Sequence, residues 1–90
     1  MAAYNYKIIC NRWFQKSYGN TYHSAYVYDS DGKLLGSVVR AYGYGNDCLQ
    51  TASDILRKHL KSKSKKNYWQ FLKLKKCIYE IHDVNRERDL

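Results

Sequence analysis

Three runs of strand-forming residues, joined by two short turn sequences, most narrowly constrain the fold of this chain. The runs cover residues 4–14, 21–28 and 33–42 and are rich in Tyr, Ile, Val and other strand formers. Ser-Tyr-Gly-Asn at 17–20 and Asp-Ser-Asp-Gly at 29–32 separate them, and these residue types favour tight turns. The pattern predicts an antiparallel three-stranded meander, although the imperfect alternation does not show which face is buried.

An apolar helix stripe follows the predicted meander. Its members recur at spacings of three and four residues, namely Leu49, Ala52, Leu56 and Leu60. This spacing predicts a helix over residues 47–61 that packs on one face of the sheet. Glycines within residues 42–45 permit the sharp reversal from strand to helix, and Asn46 or Asp47 is the expected N-cap.

The last third of the chain adds a second helix and a last strand. Polar residues 62–67 form a hinge, a short helix is predicted to begin near Tyr68, and residues 76–84 are typical of a closing strand. The resulting order is β-β-β-α-α-β, an α+β fold. Ninety residues suffice for one small domain, 1–90, with a charged tail at 85–90. We expect its core to include Leu49, Leu56 and either Val38 or Val39.

The positive charge of the chain is concentrated in one segment. The formal net charge is +8, yet residues 57–76 contain nine Lys and Arg residues and no Asp or Glu. Residues 1–56 hold five basic against four acidic residues, and residues 77–90 hold two against four. A local block of this kind is typical of a surface that binds a polyanion.

The basic segment 57–76 also contains aromatic residues. Cations neutralise phosphates and aromatic rings stack on bases, so the combination indicates a nucleic-acid-binding segment. The candidate binding residues are Arg57, Lys58, Lys61, Lys63, Lys65, Lys66, Tyr68, Trp69, Lys73, Lys75 and Lys76. Eight of the nine cations are Lys, which reads bases poorly, and we therefore expect largely sequence-independent binding to DNA or RNA.

Two alternatives to this interpretation stay open. The lysines could form a solvated helix face with the aromatic residues turned into the core. The predicted sheet could instead read DNA, but its strands carry only Lys7, Arg12, Lys33 and Arg40, which are few cations for that role. If the basic segment binds, changing Lys63, Lys65 and Lys66 to Glu should abolish binding.

The chain contains ten Tyr residues but only two Trp and two Phe residues. The simpler interpretation places them half-buried in the sheet, because Tyr packs its ring while its hydroxyl seeks a partner. The alternative is a binding surface. Aromatic residues left exposed after folding would then indicate a homodimer or a bound partner.

The residues that commonly carry catalysis show no pattern for it. Three Cys (Cys10, Cys48, Cys77) and three His (His23, His59, His82) lack the close spacing of a zinc motif. A Cys10–His23 nucleophile is conceivable across the first hairpin. We expect no enzyme activity, no metal and no cofactor. Free thiols and the lack of a signal sequence or apolar span predict a cytoplasmic protein with no membrane partner.

Several stretches resemble a group of small proteins encoded by phages and prophages. They are residues 13–24 (WFQKSYGNTYHS), 42–45 (YGYG), 50–52 (QTA) and 83–86 (DVNR). The resemblance implies a phage accessory origin and no particular activity. It also introduces a second class of function, an anti-defence inhibitor of the anti-CRISPR type that contacts a host nucleoprotein effector. The basic segment could then contact a guide RNA or an acidic patch of that effector.

Overall fold

The order of the secondary-structure elements is the predicted one. The computed structural model describes residues 4–43, 47–62 and 67–90. In these residues the elements are β1 Tyr6–Gln15, β2 Asn20–Asp29, β3 Leu34–Tyr42, α1 Asp47–Leu60, α2 Tyr68–Leu74, β4 Cys77–Val84 and a 3-10 turn, Glu87–Asp89. The four strands form one sheet, so the α+β class and the β-β-β-α-α-β order are confirmed. The basic residues Lys63, Lys65 and Lys66 and the possible N-cap Asn46 lie outside the described residues.

The first three strands form the predicted antiparallel meander. Cys10 pairs with Ala25 between β1 and β2, and Ala25 pairs with Val38 between β2 and β3. The turn after β2 is held by its first aspartate, because Asp29 Oδ1 accepts hydrogen bonds from the backbone N–H groups of Asp31 and Lys33, each at 2.9 Å. Asp29 therefore initiates this turn as its residue type predicts.

The closing strand β4 pairs with the first strand and not with the third. It runs parallel to β1, from Tyr6↔Cys77 to Trp13↔Val84, and gives the strand order β3-β2-β1-β4. A parallel pair needs a crossover connection, which the two helices supply. Strands β1 and β2 thus lie at the centre of the sheet, and both helices pack on one face of it.

The helix stripe lies where its spacing predicts. Leu49, Ala52 and Leu56 of α1 are buried against Ile8 and Val27 of the sheet. Leu49 and Leu56 are thereby confirmed as core residues. Phe71 and Leu72 of α2 complete the same buried cluster beside α1.

The expected core role of Val38 or Val39 is wrong. Val38 is 37% and Val39 is 59% exposed, because β3 is an edge strand that α1 covers only in part. The pairing slips between His23↔Ala41 and Ala25↔Val38, so that Val39 and Arg40 together oppose Ser24. Val39 follows Val38 and so lies on the face of the sheet opposite the helices, and the bulge keeps Arg40 on that face as well. The helix instead approaches β3 at Gly36.

A buried histidine fastens the start of α1 to the sheet. His23 Nδ1 lies 3.3 Å from the Gly43 carbonyl oxygen, and His23 Nε2 lies 2.7 Å from Thr51 Oγ1. A carbonyl oxygen only accepts, so the ring donates from Nδ1 to Gly43, while Thr51, whose hydroxyl also donates to the Asp47 carbonyl oxygen at 3.2 Å, links the ring to α1. Gly43 has a φ of 152°, and a Cβ there would lie 2.7 Å from Asp47 Oδ2. Glycine at this position permits the tight reversal into α1.

The C-terminal residues cross the face of the sheet that the helices leave open. Arg40 Nη1 of β3 forms a 2.8 Å ion pair with Glu87 Oε1, and the Tyr26 hydroxyl of β2 donates to the Leu90 carbonyl oxygen at 3.1 Å. The predicted charged tail is therefore docked on the open face through its acidic and terminal groups. Within the described residues, no helix is long and apolar enough to cross a membrane.

Candidate nucleic-acid interface

The described residues among those predicted to bind nucleic acid lie in the two helices or directly after them. Five of them are exposed: Lys58, Lys61, Trp69, Lys73 and Lys76. Three are half-buried: Arg57, Tyr68 and Lys75. The remaining three, Lys63, Lys65 and Lys66, belong to the connection between α1 and α2 that lies outside the described residues.

Some residues of the basic segment 57–76 pack in or against the hydrophobic core and do not face solvent. Phe71 is fully buried, and the Arg57 guanidinium lies 4.7 Å from the centroid of its ring. The Lys75 ammonium lies 5.9 Å from the same centroid. Tyr68 packs partly against the core cluster. Arg57 therefore connects α1 to α2, whereas Lys75 lies over a ring of the helix that it ends, and the solvent-facing cations are the other lysines.

The exposed lysines do not form a single compact patch. Lys58 borders the groove between α1 and β3, together with Ile55 and His59. Lys73 borders the groove between α2 and β4 on the other flank of the helical layer. Positive charge thus lies on both flanks of the helical layer, and we call the exposed side of α1, α2 and the described residues directly after them, Lys61, Lys75 and Lys76, the helical surface.

The cations of the sheet, in contrast, are paired with acids near the C-terminus. Lys7 Nζ lies 3.8 Å from Glu80 Oε1, and Arg12 Nε donates to Asp83 Oδ1 at 2.8 Å. Arg40 pairs with Glu87 in the same way. The acidic residues of 77–90 thus neutralise three strand cations. A sheet-type DNA-reading surface has little free positive charge here.

The described lysines of the helical surface form no ion pairs with acidic residues. Among the residues that the structure describes, no ion pair involves Lys58, Lys61, Lys73, Lys75 or Lys76. Their mutual repulsion costs free energy unless an anion approaches. Five of the described cations without an ion pair therefore belong to the segment 57–76, and four others, Lys16, Lys33, Arg86 and Arg88, lie elsewhere in the described residues.

A groove of about 340 Å³ lies between α2 and the edge strand β4 within this surface. Three aromatic side chains and a cation line it, namely Tyr68, Trp69, Tyr79 and Lys73. Leu49, Leu72 and Cys77 form its less exposed part. Burial raises the pKa of the Cys77 thiol to about 11, so this thiol is neutral at physiological pH. The groove is thus apolar inside and positive at its border.

Tyr79 is the residue of this groove that the sequence interpretation missed. It lies in β4, outside the basic segment, and reaches the groove because Cys77, Tyr79 and Ile81 alternate onto the helical face of the sheet. The period-two alternation of residues 77–81 is the signal that could have placed it there.

A second group of aromatic residues lies on the open face of the sheet. Trp13 stacks on Tyr22 with ring centroids 5.9 Å apart, and Tyr42 meets Tyr22 edge to face at 5.8 Å. The Arg40 guanidinium lies 5.5 Å from the centroid of Tyr22. Half-buried Tyr22, Tyr26 and Tyr28 of β2 agree with the expectation of sheet tyrosines. In this cluster the rings already contact one another.

The hypothetical Cys10–His23 nucleophile is not assembled. Cys10 pairs with Ala25, His23 is engaged by Gly43 and Thr51, and the Cys10 thiol is hydrogen-bonded to Cys48. This hydrogen bond and burial raise the pKa of Cys10, which keeps the thiol protonated. No group of three or more metal-ligating side chains occurs in residues 4–43, 47–62 and 67–90.

Comparison with known proteins adds no relative. No protein-family model, no curated protein and no solved structure matches the chain. The resemblance to phage accessory proteins and the functions that it implies therefore stay predictions.

Proposed function

We propose that this protein is a non-enzymatic binding module that holds nucleic acid, free or within a nucleoprotein, on its helical surface. The observation that carries the proposal is the partition of charge. Strand cations Lys7, Arg12 and Arg40 are paired with acids, whereas the described lysines of segment 57–76 are not. A phosphate backbone supplies the missing countercharge, and the release of its condensed counterions drives binding.

The chemistry of the surface favours contacts to phosphates over contacts to bases. Lysine is a mobile point charge, and it lacks the planar fork with which arginine recognises a base edge. Arg57, the arginine of this segment, is engaged with the Phe71 ring and with Asp54 at 3.7 Å. The protein should therefore bind DNA or RNA with little sequence preference.

The test compares two double variants of equal charge. Lys61→Gln with Lys73→Gln removes two exposed cations of the helical surface, while Lys16→Gln with Lys33→Gln removes two exposed cations elsewhere. Both variants lower the net charge of +8 by the same amount. We expect the first to weaken oligonucleotide binding by roughly three- to tenfold at moderate salt and the second to change it less than twofold.

Equal weakening by both double variants would show that net charge, and not this surface, attracts the nucleic acid. If the wild-type protein binds no oligonucleotide even at low salt, the lysines are a solvated face and the proposal fails. The Glu substitutions at Lys63, Lys65 and Lys66 test the part of segment 57–76 outside the described residues in the same assay.

A second candidate function is contact with a host effector protein, as in an anti-defence inhibitor. The aromatic cluster on the open face favours it, because Tyr42 is 68% exposed beside Trp13 and Tyr22. Exposed aromatic residues are common anchors of protein interfaces. This function predicts a stable complex with an effector that Tyr42→Ala weakens and that Lys61→Gln with Lys73→Gln leaves intact.

A further inference from the structure

We propose that the groove between α2 and β4 receives an unpaired base, so that the nucleic acid held by the helical surface is single-stranded. This inference rests on the proposed function and names its substrate class. The groove brings Trp69 of the basic segment together with Tyr79 of the closing strand, a juxtaposition that only the fold creates.

The aromatic rings of the groove are available to a ligand. Trp69 is 55% and Tyr79 is 57% exposed, although both are large apolar side chains. Among the described residues, neither ring stacks on another aromatic side chain, in contrast to Trp13 and Tyr22 on the opposite face of the sheet. A planar base can therefore contact ring surface that the protein leaves free.

The size and polarity of the groove suit a base. Its volume of about 340 Å³ is at the lower end of the range for small-ligand sites, which are typically about 300–1,000 Å³. Leu49 and Leu72 give it an apolar interior. A base buries its faces there and keeps its polar edge at the open side.

Charge complementarity selects nucleic acid over other planar ligands. Lys73 lies at the border of the groove, and Lys75 and Lys76 follow it along the chain within a segment that contains no acid. An apolar peptide carries no charge that would satisfy these lysines, and a second copy of this chain brings a net charge of +8, which opposes its approach. A phosphate on either side of an inserted base supplies the charge that satisfies them.

The groove also favours single strands over duplexes. In a duplex the bases are stacked on one another and their faces are hidden, so that only phosphates and groove edges reach a protein surface. A base enters a pocket only when it is unpaired or flipped out, and flipping costs a few kcal/mol. Phosphate contacts alone would hold both forms, whereas the groove adds affinity for the single strand.

Another cavity that contains cations is a poorer phosphate site. The larger cavity of about 540 Å³ at the far end of β1 contains Arg12 and Lys16, but Arg12 is bonded to Asp83 within it. An acid in the cavity opposes a phosphate. The α2–β4 groove is the better site for a base.

The experiment measures affinity for a fluorescent oligo-dT strand and for a duplex of mixed sequence and equal length. It compares the wild type with Trp69→Ala, Tyr79→Ala and a control, Tyr42→Ala, which removes an exposed ring from the open face. We expect Trp69→Ala and Tyr79→Ala each to lower single-strand affinity by roughly 5- to 150-fold, as expected for loss of a stacked base. Duplex affinity should change less than twofold in both, and Tyr42→Ala should change neither.

A fluorescence measurement tests the contact itself. In a Trp13→Phe protein, Trp69 is the only tryptophan, and its emission should be quenched by oligo-dT and not by the duplex. This measurement needs no deletion of a groove residue. It therefore reports on base insertion even if the alanine variants fold poorly.

The outcomes separate the two proposals. If the wild type binds both oligonucleotides and the groove variants weaken both equally or neither, the base site is refuted and the phosphate-binding surface stands. If the wild type binds neither oligonucleotide, the proposed function fails and the base site fails with it. A dimer in sedimentation that Trp69→Ala dissociates, without effect on oligo-dT, would assign the groove to a second copy.

Discussion

The Arg57 guanidinium lies 4.7 Å from the centroid of the Phe71 ring and so connects the end of α1 to the buried face of α2. Arg57 is one of nine cations in segment 57–76, yet its role differs from that of its neighbours. Its side chain is mostly buried, and it also approaches Asp54 at 3.7 Å. The segment thus combines a structural arginine with lysines that face solvent.

Replacing Arg57 should therefore affect stability. We expect Arg57→Ala to lower the free energy of unfolding by about 1–2 kcal/mol, because it removes a largely desolvated cation–π contact and a packed side-chain stem. The exposed neighbour Lys58 provides the control, and Lys58→Ala should change stability by less than about 0.5 kcal/mol. Urea denaturation measures both. Equal effects of the two substitutions would contradict the structural role of Arg57.

The core position of the helix stripe can be tested at Leu56. This residue is fully buried, so that Leu56→Ala should cost about 2–5 kcal/mol of stability. Leu74→Ala removes the same atoms from a side chain that is 60% exposed and should cost far less. An unchanged thermal melt of the Leu56→Ala protein would mean that α1 does not pack on the sheet as described.

Gly36 allows α1 to approach the edge strand closely. A Cβ at this position would lie 2.6 Å from Ile55 Cγ2, closer than atoms can pack. Gly36→Ala should therefore destabilise the protein by about 1–3 kcal/mol through overpacking. In an Ile55→Ala background the same substitution should cost little, because the clashing methyl group is absent. Additive effects in this double-mutant cycle would show that the two positions do not touch.

The Cys77 thiol should make stability depend on pH in the alkaline range. Burial raises the pKa of Cys77 from its ordinary value of 9.0 to about 11 in the folded protein. The thiol of the unfolded chain therefore ionises first, and the stabilisation, complete below pH 9, is lost as the pH rises through about 11. The melting temperature should fall more between about pH 8 and about pH 10.5 in the wild type than in Cys77→Ala. Equal decreases would show that Cys77 ionises alike in both states.

Local sequence patterns predicted most of the fold. Strand propensities and turn residues such as Asp29 located the meander, and the spacing of Leu49, Ala52 and Leu56 located α1. These signals are local, since each arises within one turn or one helix face. The pairing partner of β4 has no local signal, because its register with β1 depends on how two helices cross the sheet.

The errors arise where tertiary structure overrides local pattern. Val38 and Val39 have the hydrophobicity of core residues, but β3 is an edge strand, and Val39 also lies on the face that the helices leave open. Phe71, in contrast, fits the alternative in which aromatic residues of the basic segment turn into the core, because it is buried under Arg57. Tyr79 joins the candidate groove from a strand outside the basic segment. Whether each of these residues is buried, exposed or part of the groove depends on which strands and helices lie next to one another in the folded chain.

The central claim is that the helical surface neutralises phosphates, and a salt series tests it most directly. The measurement is the anisotropy of a fluorescent single-stranded oligonucleotide titrated with the wild-type protein at increasing salt. We predict that the logarithm of the binding constant falls linearly with the logarithm of salt concentration, with a slope of about −3 to −6. The Lys61→Gln, Lys73→Gln protein should show a slope shallower by about 1–2, and the Lys16→Gln, Lys33→Gln protein an unchanged slope. Absence of binding at low salt, or the same slope in all three proteins, would contradict the claim.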